Sequence, residues 1–106
     1  MTQEQPEQSA AGADGELDRH RRQIDEIDES LVGLLARRFG VTAEIGRYKA
    51  ANGIAPADAR REAEHLTRMR AVAERAGLDP DFAERILREL MAEVVRRHDE
   101  IARDAG

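Results

Sequence analysis

The chain has 106 residues, 41% of them hydrophobic and 37% charged, and 17 Lys and Arg against 22 Asp and Glu leave a formal net charge of −5. A length of this order predicts one domain, and a lone monomer would bury only a modest core, so association is expected. The acidic balance excludes the basic field of a nucleic-acid binder, no run approaches the roughly 20 apolar residues of a membrane span, and the absence of cysteine excludes disulfides and thiolate chemistry.

Phe39, Tyr48 and Phe82 are the only aromatic residues, and β-branched runs bounded by turn residues are missing. The expected class is therefore all-α. Residues 1 to 14 (MTQEQPEQSAAGAD) carry no hydrophobic period and read as a disordered leader, with Asp14 placed to cap a helical domain over 15–106. The N-terminus has no basic-then-apolar secretory pattern, which predicts a cytoplasmic address.

From about Glu16 to Asn52 no proline occurs, and the stripe Ile24, Ile27, Leu31, Leu34, Arg38, Val41, Ile45, Tyr48 advances in steps of three and four. That is one face of a single long helix of roughly 50 Å at 1.5 Å per residue. Arg38 interrupts its apolar seam, where a guanidinium is either costly or matched by an anionic partner. Gly33, Gly40 and Gly46 each cost such a helix roughly 1 kcal/mol relative to Ala. Close approach of another helix or a ligand would account for them, and so would simple tolerance in a long helix.

Asn52-Gly53 and Pro56 end the first helix, and a second is expected from near Ala57 or Asp58 to Arg75, closed by Ala76-Gly77. Asp79-Pro80 supplies an N-cap and an N1 proline for a third, which runs to about Arg103 on Phe82, Ile86, Leu87, Leu90, Met91, Val94, Val95 and Ile101. Three helices so unequal do not close a neat monomeric bundle. The free half of the long helix calls for a second chain, and the predicted assembly is a symmetric, intertwined homodimer in which the long helices pair.

Arg38 and Lys49 stand eleven residues apart, three turns and roughly 16 Å on nearly one azimuth, so their long cationic side chains can converge on one small anion. Asp58, Arg61 and Glu62 share one face of the opening turns of the second helix. Arg21 lies roughly 25 Å of helix from Arg38, too far for both to grip one ligand within a chain, though within reach of a partner's pocket in a dimer. Taken singly, each has a plain reading: Arg38 snorkelling to solvent, Lys49 favouring the helix dipole, the acidic cluster as an N-terminal turn, Arg21 as part of a solvated basic run. His98 falls on the inward stripe Leu87, Met91, Val94, His98, Ile101, and singly reads as a helix-end histidine. His20 and His65 have no metal-ligand spacing to each other or to it, so neither metal nor cofactor is expected.

The set Arg21-x-x-Ile24-Asp25-x-Ile27-Asp28, Leu34-Leu35-x-x-Arg38, Ile45-Gly46-x-x-Lys49, Asp58-x-x-Arg61-Glu62 and the segment Val94 to His98 resembles the all-helical chorismate mutases over nearly the whole chain after the leader. The resemblance implies the Claisen rearrangement of chorismate to prephenate, the step toward phenylalanine and tyrosine. It implies that Arg38 and the second chain's Arg21 hold the two substrate carboxylates, and that Lys49 contacts a carboxylate and the ether oxygen. Asp58 and Glu62 would engage the ring hydroxyl, with Arg61 ordering the cluster.

Two positions depart from that pattern. The family commonly has Gln, sometimes Glu, where His98 stands, and His98 is expected to take over as the second donor to the ether oxygen. Val94 replaces a small hydroxyl residue, which opens the alternative of a mutase acting on 4-amino-4-deoxychorismate, while the intact Asp58 to Glu62 cluster speaks against an isochorismate lyase. A catalytically silent helical dimer, serving as an interaction or regulatory module, is the reading from a different class.

Overall fold

Helix α1 spans Gln5–Ala51, α2 Ala59–Ala76 and α3 Pro80–Ala105. The computed structural model describes the backbone of residues 5–105 and the side chains of residues 14–100 and of Arg103. Among these residues every regular element is an α-helix, so the all-α expectation and the count of one long and two shorter helices hold. Ile101, placed on the apolar stripe of α3 by its spacing, lies outside the described side chains.

The start of α1 differs from the expected one. It begins at Gln5 rather than near Glu16, and Asp14 sits inside the helix instead of capping it. Gln, Glu and Ala are cheap helix residues once a nucleus exists downstream, and Pro6 stands in the first turn, where no intrahelical N–H bond is required of it. Residues 1–4 of the expected leader lie outside the described residues.

The other ends follow local chemistry. At the close of α1 the Asn52 amide nitrogen donates to the Tyr48 carbonyl (3.0 Å) and that of Ile54 to the Lys49 carbonyl (2.9 Å). Gly53, at φ 65°, makes the left-handed turn between them. Asp58 caps α2, its Oδ1 accepting from the Arg61 amide at 3.0 Å. Gly77, at φ 79°, closes α2 with its N–H on the carbonyls of Ala73 and Glu74. Asp79 opens α3 by accepting from the Asp81 amide at 3.0 Å.

The chain divides into two units, residues 1–38 and 39–106. The first consists of the N-terminal stretch of α1. Its apolar stripe is exposed, with Ile27 at 64% and Leu34 at 59%, and Ile24 and Leu31 also more than half exposed. The second unit holds the end of α1 with α2 and α3. Its core lies between α2 and α3, where Leu66, Ala73 and Ala83 are buried and Met69, Leu87, Leu90, Met91 and Val94 are half-buried around them. Arg70 crosses from α2 to pair with Asp81 and Glu84 of α3, each at 2.9 Å.

Candidate active site

The end of α1 supplies Lys49 and the seat of His98. Lys49 is half-buried, and its Nζ donates to the Pro56 carbonyl at 3.2 Å, which ties the ammonium to the loop leading into α2. One turn upstream, Gly46 faces the ring of His98 from α3. A Cβ built on Gly46 would stand 2.6 Å from His98 Nε2 and 2.9 Å from Cδ2, so only glycine admits the imidazole there. The same Nε2 lies 3.1 Å from the Thr42 carbonyl oxygen. His98 thus faces inward as its stripe predicts, and it bridges two helices rather than fraying at a helix end.

Gly33, Gly40 and Gly46 separate on this point. A methyl group added at Gly46 meets the imidazole, whereas at Gly33 and Gly40 it finds nothing within 4 Å. Close approach accounts for Gly46, and helix tolerance suffices for the other two within this chain.

Arg38 is half-buried, and one nitrogen of its guanidinium, Nη1, is closed to water with no hydrogen-bond partner. An enclosed charged donor left unsatisfied is costly. Arg21, in the same unit, lies exposed beside Asp18 at 3.8 Å, a surface pair between residues three apart. Asp58, Arg61 and Glu62 open α2 on its exposed side. Asp58 is occupied by its capping bond to Arg61, and the Glu62 amide donates to the Asp58 carbonyl at 3.0 Å. The second unit therefore gathers Lys49, His98 and the seat at Thr42 and Gly46 along one stretch of α1, with Lys49 tied to the loop that precedes the acidic cluster.

An anchor beside His98 is not evident from sequence spacing. The Arg97 guanidinium lies over the Phe39 ring at 4.2 Å while its Nε donates to Glu93 at 3.0 Å. Arg96 first, and then Arg97, hold the Glu93 carboxyl below its ordinary value. These contacts fix the turn of α3 from which His98 projects. The only available signal was the pair Arg96-Arg97 three and four residues after Glu93, which reads as an intrahelical ion pair and says nothing of Phe39.

An open groove of about 430 Å³ runs along the end of α1, lined by Val41, Glu44, Ile45, Tyr48, Lys49 and Ile54. Tyr48 is 63% exposed beside it. Among the described residues no group of three or more His, Cys, Asp or Glu is placed to hold a metal, and no helix is long and apolar enough to cross a membrane.

Comparison with known proteins places the chain in a family. The family model of chorismate mutase type II matches residues 20–99, a span that contains Arg21, Arg38, Lys49, Asp58, Arg61, Glu62 and His98. The chain is 41% identical over 78 residues to the T-protein of Enterobacter agglomerans, which covers 74% of this chain and 21% of that protein. To the T-protein of Haemophilus influenzae it is 34% identical over 73 residues, 69% of this chain and 19% of the other. The chain spans about a fifth of the length of these curated relatives. A match over residues 20–99, well beyond half of the chain, shows that this protein belongs to the chorismate mutase type II family.

Proposed function

We propose that the protein catalyses the rearrangement of chorismate to prephenate, in aromatic amino acid biosynthesis, as an intertwined homodimer with two pockets. Each pocket takes Arg38, Lys49, Asp58, Arg61, Glu62 and His98 from one chain and Arg21 from the other. The observation that carries this reading is the enclosed, unpartnered Nη1 of Arg38. A carboxylate satisfies it, ideally with the paired geometry a guanidinium offers.

The chemistry asks for nothing else. A pericyclic rearrangement needs no nucleophile, metal, cofactor or obligatory proton transfer. It needs a compact near-attack conformer, and donors placed where charge builds on the breaking ether oxygen. Arg38 and Arg21 hold the carboxylates, and Lys49 and His98 face the ether oxygen. Asp58 and Glu62 hold the ring hydroxyl, and Arg61 orders those two. The exposed stripe of α1 at Ile24, Ile27, Leu31 and Leu34 supports the dimer, since burying it removes a long apolar face from water. The mutase domain corresponds to residues 15–106, with 1–14 outside it, and the cytoplasm is the compartment in which it works.

Loss of chorismate absorbance in the ultraviolet on adding purified protein tests the reading. A rate above the spontaneous one is expected, and a rate equal to it would eliminate the proposal. Val94, which brings no hydroxyl to the half-buried face of α3, favours one second reading, a 4-amino-4-deoxychorismate mutase. Competition between the two substrates separates them, with the higher kcat/KM naming the substrate.

A further inference from the structure

A carbonyl oxygen carries no proton, so the 3.1 Å contact between His98 Nε2 and the Thr42 carbonyl requires the proton to sit on Nε2. Neutral His98 spends its single N–H on that bond and keeps only a lone pair at Nδ1. A lone pair cannot stabilise charge building on an ether oxygen. We infer that His98 works as an imidazolium, with Nε2–H held by Thr42 and a second proton, on Nδ1, donated as a hydrogen bond to the ether oxygen.

This inference rests on the mutase reading of the same site. The proton comes from solvent, stays on His98 throughout and returns to solvent with product release, so the rearrangement itself remains unimolecular and balanced. Gly46 is the positioning residue: the ring can keep its bond to Thr42 only because no Cβ occupies the 2.6 Å gap.

On α1, Glu44 lies between Thr42 and Gly46, Arg47 follows Gly46, and Lys49 stands three residues after it. On α3 the positions one turn before His98 are Val94 and Val95, Arg97 is engaged by Glu93 and the Phe39 ring, and Asp99 adjoins His98 in the chain. A bound dicarboxylate favours a positive charge beside it. Substrate binding and protonation of His98 therefore favour each other.

Profiles of kcat and kcat/KM for chorismate between pH 5 and 9, in the parent and in His98→Gln, test this directly. In the parent kcat/KM should fall with a limiting slope of about tenfold per pH unit on the alkaline side. The fall in kcat should lie at higher pH, because the bound dianion retains the proton. His98→Gln, whose amide donates at every pH, should lose the alkaline fall and exceed the parent at pH 9. Gly46→Ala should lower kcat at every pH while the helical circular dichroism is unchanged.

A parent profile flat from pH 5 to 9, or an alkaline fall that persists in His98→Gln, would overturn the inference and leave the mutase reading intact. Absence of chorismate turnover by the parent at any pH would overturn both.

Discussion

Arg38 concentrates the account at the level of single residues. Its Nη1 is enclosed and unpartnered, so the side chain is poised to gain a charge-assisted bond when an anion arrives and gives up little by being removed from the empty protein. Arg38→Ala should lower kcat/KM for chorismate by about 10² to 10³, on the scale of losing one charge-stabilising donor, while thermal unfolding shifts little. Collapse of the fold in that variant would make Arg38 structural. His98 shows the limit of reading residues one at a time. Its inward face was legible from the stripe through Leu87, Met91 and Val94, but its partner was not, because Thr42 and Gly46 lie in another helix and only tertiary packing brings them to the ring. The contact removes a freedom that spacing leaves open, namely which ring nitrogen carries the proton.

Helix ends were legible where a side chain or a glycine decides them locally. Asp58, Gly77 and Asp79 do at α2 and α3 what their residue types predict. The start of α1 was not legible, since a polar, Ala- and Glu-containing stretch can lie free or extend an existing helix at almost equal free energy. Packing between α2 and α3 depends on few buried residues, so Leu66→Ala should cost about 2 to 5 kcal/mol in chemical denaturation, a large share of what a small domain has. A second test concerns the ion pairs of Glu84, one within α3 to Arg88 and one across to Arg70 of α2. Arg88 first, and then Arg70, hold the Glu84 carboxyl below its ordinary value of 4.5. A carboxylate depressed on folding stabilises the protein above its unfolded value, and that contribution is lost as pH falls through the lower folded value. Glu84→Gln should therefore lower the parent's stability at neutral pH and converge with it in acid. Parallel curves down to strong acid would show that these pairs contribute nothing on folding.

The whole molecule leaves a long apolar stripe of α1 uncovered. Fold class, helix count and the inventory of cations were all present in the sequence, because amphipathic period and caps are local properties. The proposed dimer rests only on the apolar stripe that the described helices leave exposed. Sedimentation equilibrium should find a dimer at micromolar concentration, and Ile27→Glu, which places a charge in the 64% exposed position of the stripe, should shift it toward monomer and remove activity together with association. A monomeric parent with full activity would confine the pocket to one chain.

The claim that each pocket draws its cations from two chains is tested most directly by mixing two inactive variants, Arg21→Ala and Arg38→Ala, under conditions where subunit exchange is confirmed. Half of the dimers are then mixed, and one pocket in each regains both guanidinium groups, so about a quarter of the parental activity should return. Failure to recover any activity after complete exchange would contradict a pocket shared between subunits.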